Sequence, residues 1–343
     1  MKILLQSFFL VFLIYSRDLS AQKTALNSKY SMLFYNTENF FDCENDTTIS
    51  DEEYLANATR NWTPKRFHLK AERLAKVIVA AGKWNSPILV GLCEIENRDV
   101  LESLVKTEPL FKFQYKIIQK DSPDRRGIDV ALLYRSDFFH PIDYMAIPVV
   151  DRANKSFRTR DILKVIGVLG KRDTLTVFVN HWPSRYGGIM ETRKYRSLAA
   201  QTLRNAIDET LDRNPDAKVV CMGDFNDTPE DQSVESILGA KSVSSSRKGD
   251  LVNLSCDWMS DKIQTIKSGY RWEVFDQFIV SQGFFNSTQG VLFKNSEIFK
   301  GVFLLEKDNY YGGVKPKRTY LGFKYHDGFS DHLPILLHFE LPD

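Results

Sequence analysis

The chain reads as a layered α/β domain built on two mixed β-sheets, and three observations lead there. Short β-branched and aromatic runs outnumber the helical patterns. The helical patterns are dispersed among those runs instead of gathered at one end. No internal repeat and no Pro/Gly/Ser-rich linker divides the sequence, so residues 23–343 are expected to form one domain.

The elements follow in order. Residues 1–21 open with Lys2, continue with an apolar run from Ile3 to Tyr15, and end on the small residues Ser20 and Ala21, the pattern of a secretory signal peptide. The run falls short of the roughly 20 apolar residues that a membrane-spanning helix needs. A secreted or periplasmic, soluble mature chain is expected, without stable membrane insertion and as a monomer. Strand-like runs then occur at Ser31–Tyr35, Ile88–Leu92, Phe113–Ile118, Val130–Tyr134, Ile162–Leu169 and Leu175–Asn180, and again at Lys218–Met222, Phe275–Val280 and Ile335–Phe339. Leu69, Leu74, Val77, Ile78 and Ala81 share one face of a helix over about Pro64–Gly82. Tyr195, Leu198, Ala199, Leu203, Ala206, Ile207 and Leu211 mark a second helix after Gly188. Cys43–Thr63 and Ala240–Tyr270 read as long loops, the kind that border active sites in compact enzymes.

Composition narrows the function. With 43% hydrophobic residues a sizeable core is available, which excludes disordered and collagen-like chains. A formal net charge of +2 gives no strongly basic field, so affinity for a polyanion must come from local patches. Such patches stand at Arg125-Arg126, Arg158-Thr159-Arg160 and Lys315–Arg318. Cys93 and Cys221 lie in apolar runs and read as buried small hydrophobes, whereas Cys43 and Cys256 lie in polar segments and are the candidates for a disulfide. No CxxC motif supports a zinc or redox site.

The chemistry shows in where polar residues fall, because again and again a carboxylate, Asn or His appears at the end of an apolar strand. Asn36 and Glu38 follow the first strand in SMLFYNTEN, and Glu94 follows the second in ILVGLCEIEN. His181 ends a strand in VFVNHWPSR, with Arg185 behind it, and Asp224 and Asn226 end another in VVCMGDFND. Asp276 opens a strand in FDQFIVS, and Asp331 and His332 precede one in FSDHLPILL. A carboxylate at a strand end is costly to desolvate unless a positive group neutralises it, and a hard divalent cation does this well. Asp224 and Asn226, two apart, point the same way if the backbone stays extended.

These motifs, in this order from Asn36 to Leu337, resemble the endonuclease/exonuclease/phosphatase superfamily, which includes DNase I, exonuclease III-type repair nucleases, sphingomyelinases and inositol-polyphosphate phosphatases. The resemblance implies a DNase I-like four-layer α/β sandwich, two packed mixed sheets flanked by helices, with the site at one edge of the sheets. It implies Glu94 as the main metal ligand, with Glu38 and Asp331 beside it. Glu38 departs from the exonuclease III-like members, which carry Asp there. An all-oxygen site with few protein ligands suits Mg²⁺, with Mn²⁺ or Ca²⁺ as substitutes. Asn36 would hold a phosphate oxygen, as would Arg185, with Arg135 and Arg318 as weaker candidates. Asp224 would orient or deprotonate the attacking water, and Asn226 would contact the phosphate. Asp276 would fix the tautomer of His332. His181, found in DNase I-like and sphingomyelinase-like members, would protonate the leaving oxygen or bind the phosphate.

The expected activity is Mg²⁺-dependent phosphodiester hydrolysis by an extracytoplasmic nuclease on DNA or RNA. A phosphodiesterase or phosphatase acting on lipid headgroups or small phosphoesters is the alternative, with Phe284, Phe285, Phe299, Phe303 and Tyr310-Tyr311 as the residues available for apolar contact. A non-catalytic binding module is disfavoured by the complete set Glu94, His181, Asp224, Asn226, Asp276 and His332.

Overall fold

The structure, a computed structural model, describes residues 30–83, 85–170, 173–247, 249–286 and 290–341. The expected signal peptide lies outside the described residues. The first sheet contains β1 (Tyr30–Phe40), β2 (Leu89–Ile95), β3 (Lys116–Gln119) and β4 (Asp129–Tyr134). The second contains β5 (Phe139–Ile147), β6 (Ile162–Leu169), β7 (Asp173–His181), β8 (Lys218–Asp224), β9 (Ala240–Lys241) and β10 (Leu251–Asn253). β11 (Ile266–Ser268) and β12 (Arg271–Glu273) form a small hairpin, after which β13 (Asp276–Val280) joins the second sheet and β14 (Leu292–Ile298) the first. Two further ribbons, β15 (Leu305–Lys307) with β16 (Val314–Pro316) and β17 (Tyr320–Leu321) with β18 (Lys324–Tyr325), precede β19 (Ile335–Glu340). The strand orders are β14-β19-β1-β2-β4-β3 and β5-β6-β7-β8-β13-β10-β9.

Each sheet has a parallel pair at its centre, β1 with β2 and β7 with β8, flanked by antiparallel partners. A parallel neighbour requires a crossover, and a helix supplies each one. α1 (Pro64–Ala81) leads from β1 to β2; Thr63 caps it by accepting from the Arg66 amide, and Pro64 at the first turn forgoes a donor that has no helical partner there. α2 (Arg98–Val105) follows β2, capped by Asn97, whose side chain accepts from the Val100 amide at 3.0 Å. α3 (Ile189–Arg213) carries the chain from β7 to β8.

The sheets pack face to face, with β1 and β2 against β8 and β2 and β4 against β7. The packing needs a glycine at one contact between them, since a Cβ on Gly91 would lie 2.5 Å from the Met222 sulfur. α1 packs on β1 on the outer side of the first sheet. α3 lays Ala199, Ala200, Leu203 and Ile207 over Phe178, Val219, Cys221 and Ile279 on the outer side of the second. The result is the four-layer sandwich of helices, sheet, sheet and helix. All four cysteines are free, so Cys43 and Cys256 do not pair.

The loop that links β1 to α1 is anchored by aromatic packing. Trp62 is fully buried and donates its indole N–H to the Phe41 carbonyl at 2.9 Å. Tyr54 stacks on Phe41 with centroids 4.2 Å apart. Arg60 lies over both Tyr54 and Tyr320, which ties this loop to the β17–β18 ribbon.

Asp129, at the start of β4, is buried, and its carboxylate accepts from the Ser122 amide at 2.8 Å and the Gln119 amide group at 3.0 Å. Burial pushes this carboxyl up to about 7. The folded chain therefore holds a proton there that the unfolded chain releases near pH 4, and the associated stability is present below that pH and lost as pH rises toward 7. An Asp129→Asn protein should lack this loss. Urea unfolding at pH 5 and pH 8 should show the parent losing about 2 kcal/mol more than the variant; equal losses would refute the assignment.

Candidate active site

The carboxyl ends of both central parallel pairs emerge at one edge of the sandwich. On the second sheet the register sets His181 beside Asp224, and Asp224 beside Asp276. On the first, Asn36 sits beside Cys93, one residue before Glu94. The pairing register then shifts, between Asn36 and Phe40 on β1 and between Cys93 and Ile95 on β2. Glu94 has φ 60°, and Glu38 and Asn39 have φ 53° and 55°. Bulges of this kind re-aim side chains, and here non-glycine residues occupy the left-handed region where the acids must turn inward. The Asn39 amide donates to Glu94 Oε2 at 2.9 Å and holds the result.

Asp224 is the hub. Its Oδ2 accepts from the Asn36 side chain at 3.1 Å and lies 3.7 Å from Nε2 of both His181 and His332. Its Oδ1 accepts from the Asn226 amide at 2.9 Å, closing an Asx turn. His332, drawn in by a bridge between its backbone and Ile266, places Nδ1 2.7 Å from Asp276 Oδ2. His181 Nε2 is 3.9 Å from Glu94 Oε1. Asn36, Glu94, His181, Asp224, Asp276 and His332 thus converge, although they span most of the sequence.

Other expected residues are placed differently. Asn226 has φ 50°, so the chain has left the extended form and its side chain does not align with that of Asp224. Its amide instead donates to the Trp182 carbonyl at 3.0 Å, and Asn36 is the amide that meets the Asp224 carboxylate. Arg185 is engaged by groups of the protein itself. Its guanidinium donates to the Asn226 carbonyl at 2.8 Å and pairs with Asp227, Asp231 and Glu273 at 3.1, 2.7 and 3.1 Å, while lying over the Phe275 ring. It braces the turn after β8. Glu38 and Asp331 meet through Arg318, which bonds Glu38 Oε1 and Asp331 Oδ2, each at 3.0 Å, and the Thr319 amide takes Glu38 Oε2 at 2.7 Å. The expected ligand trio is therefore divided, with Glu94 open toward the histidines and Glu38 and Asp331 sharing a guanidinium. Arg135 lies on Phe138 and pairs with Asp137, engaged outside this cluster.

Sequence reasoning passed over several groups that shape the site. Lys70 of α1 is buried and donates to Thr319 Oγ1 and the Phe329 carbonyl beneath Glu38. Arg160 pairs with buried Asp124 at 2.9 Å and donates to the carbonyls of His181 and Trp182. Asp227, the last residue of GDFND, takes Arg196 of α3 at 2.6 Å, and that arginine is fully buried. Its signal was available, because Arg196, Ala199, Ala200 and Leu203 follow the spacing of one apolar helix face.

The electrostatics separate the two histidines. Burial disfavours the charge on His332, but Asp276 and Asp224 outweigh it and hold the imidazole protonated well above its ordinary range. Burial, with the cations Arg160 and Arg126, keeps His181 neutral. Asp224 is pushed up to about 6 by burial, against the pull of His332. One imidazolium, one neutral imidazole and a carboxylate raised to about 6 stand within 4 Å steps of one another, an arrangement suited to acid–base chemistry.

A divalent cation fits this donor set. The Asp224 and Asp276 carboxylates and the His332 ring bring polar atoms within 4.8 Å of one another, and with His332 protonated it is the carboxylate oxygens that a cation would use. Asp276 Oδ1 is buried without a hydrogen-bond partner among the described residues. Burial and the neighbouring Asp331 raise the Glu94 carboxyl, and the same two causes raise that of Glu38. Crowded, desolvated oxygens of this kind are relieved by a hard cation, and Glu94, facing His181, is the carboxylate left open to hold one.

Solved structures of the same fold are similar to this chain at low sequence identity. Truncated TDP2 from Caenorhabditis elegans is 18% identical, with 90% of this chain and 96% of that chain covered at a TM-score of 0.56. An endonuclease/exonuclease/phosphatase family protein from Bacteroides thetaiotaomicron is 13% identical, covering 90% and 97% at 0.55. The human Nocturnin catalytic domain with bound sulfate anion is 16% identical, covering 91% and 94% at 0.53. No curated protein sequence matches the chain. The family model described as Endonuclease/Exonuclease/phosphatase family matches residues 31–341, and the chain belongs to this family of metal-dependent phosphoesterases.

Proposed function

We propose that this protein is an exported, Mg²⁺-dependent nuclease that hydrolyses phosphodiester bonds of DNA or RNA. The observation that carries the reading is the convergence of two histidines on one carboxylate, with Nε2 of His181 and of His332 each 3.7 Å from Asp224 Oδ2 and only His332 paired to a second acid, Asp276. Above about pH 6 Asp224 is a carboxylate, placed by Asn36 and the Asn226 amide to accept a proton from an attacking water. His332, kept cationic by Asp276, faces the phosphoryl oxygens, and neutral His181 offers Nε2 to the same group. Glu94 would hold the divalent cation, which when bound would supply further neutralisation of negative charge on the phosphate oxygens. Export is supported by the signal-like pattern of residues 1–21.

The lipid reading gains little. Phe284 is buried and Phe299 and Phe303 pack on the core, leaving Phe285, Tyr310 and Tyr311 exposed on separate segments. The deciding experiment is a panel of plasmid DNA, RNA, sphingomyelin, sugar phosphates and bis(p-nitrophenyl) phosphate, assayed with Mg²⁺, Mn²⁺ and Ca²⁺. Nucleic-acid cleavage that stops on chelation and returns with Mg²⁺ is expected. Turnover of sphingomyelin with none of DNA or RNA would overturn the nuclease reading.

A further inference from the structure

Two basic clusters some thirty residues apart in sequence, Arg125-Arg126 and Arg158-Thr159-Arg160, close on one another in the fold. Between them lies a cleft of about 670 Å³ whose lining includes Arg125, Lys155 and Arg158, together with Thr48 and Ile49. The lone carboxylate of the lining, Asp124, is buried and occupied by Arg160 and Arg126. The cleft thus carries an excess of positive charge that the whole molecule, at +2, does not.

The cations are set in place. Arg158 donates through one guanidinium nitrogen to the carbonyls of Lys155 and Phe157, both at 2.8 Å, and Arg125 reaches the Ser156 carbonyl of the same loop at 3.4 Å. Both arginines are therefore oriented by backbone before any ligand arrives, which lowers the entropy cost of binding. The cleft also joins the active site through a single residue. Arg160 pairs with Asp124 at the cleft floor and donates to the carbonyls of His181 and Trp182 at the other end. Arg126, next to Arg125, acts electrostatically on both Glu94 and His181.

We infer that this cleft is a second anion subsite that holds a non-scissile phosphate of a nucleic-acid strand while another phosphate of the same strand lies at the catalytic cluster. The inference rests on the nuclease reading and deepens it, because a substrate that fills both sites must carry more than one phosphate. A zwitterionic lipid headgroup or a simple bis-ester carries a single phosphate and gains nothing from the cleft. Arginine guanidinium groups suit the geometry of phosphate oxygens, and fixed cations beside a cleavage site add affinity without sequence preference.

The test compares two substrates in the parent and in an Arg125→Ala/Lys155→Ala/Arg158→Ala protein. For a single-stranded oligonucleotide of about 20 nucleotides at about 50 mM salt, kcat/KM should fall by about tenfold to a hundredfold, with the logarithmic salt dependence shallower by about 1 or more. For bis(p-nitrophenyl) phosphate it should stay within about twofold, which also certifies the fold and the catalytic cluster. An Arg125→Lys/Arg158→Lys protein, which keeps the charge, should retain oligonucleotide turnover within about threefold. Unchanged oligonucleotide turnover in the triple variant, or equal loss on both substrates, would overturn the subsite while leaving the nuclease reading standing. A parent that hydrolyses the bis-ester but no oligonucleotide would instead overturn the nuclease reading, and the subsite with it.

Discussion

An Asp276→Asn protein is expected to lose about 10²- to 10⁴-fold in kcat at neutral pH while keeping its fold. Asparagine fills the same volume and its oxygen still accepts from His332 Nδ1, so the ring keeps its place; the lost element is the charge. In the parent, Asp276 and Asp224 hold His332 protonated against the cost of burial. Without the first of these, burial dominates and the proton leaves at lower pH. The basic limb of the pH–rate profile, measured with bis(p-nitrophenyl) phosphate, should therefore move toward acid in the variant. A variant of lowered kcat with an unmoved basic limb would show that Asp276 merely packs beneath the site.

The second large effect concerns a residue that reaches no substrate. Asp227 is buried and accepts from Ser233 Oγ at 2.6 Å while pairing with both Arg185 and Arg196. Arg196 is wholly inside the protein, and an uncompensated charge there costs about 3–5 kcal/mol. Asp227→Ala should lower the thermal midpoint by about 5–10 °C, read by circular dichroism. Asp231→Ala, which removes the more exposed partner of Arg185, should cost under about 1 kcal/mol. Similar midpoints for the two variants would mean that the buried network adds nothing to stability. The Asp227 variant should also lose activity, because Arg185 and Arg196 fix the segment between His181 and α3 against the turn that carries Asp224.

Which parts of the fold were legible follows from burial. β1, β2, β4, β6, β7, β8, β13 and β19 lie at or near the centres of their sheets, and most of their residues are buried on both faces, so each contains a largely apolar run. The edge strands β5 and β14 were not anticipated. β5 reads FHPIDYMAI, with Pro141 beside a register shift, a residue tolerated there because an edge strand needs only one set of ladder hydrogen bonds. β14 reads LFKNSEI and is only half-buried. The segment Ala240–Tyr270, read as loop, contains β9, β10 and β11, each two or three residues long and too short to show a period. The cluster itself was visible because strand-end polar residues are chemically expensive and therefore conspicuous. Their orientation was not. Left-handed backbone at Glu94 and Asn226, and guanidinium partners brought onto Glu38, Asp331 and Asp227 from other elements, are tertiary outcomes that strand periodicity does not encode.

The joint between the two sheets has a mechanical meaning. One sheet, with the turn leading into its last strand, brings Asn36, Glu94 and His332; the other brings His181, Asp224 and Asp276. Neither half holds a complete set, and the 3.1 Å bond from Asn36 to Asp224 crosses between them. Catalytic competence is thus a gauge of how the sheets are aligned, and a slip of about 1 Å at the interface packed around Gly91 would disarm the enzyme with every strand still intact.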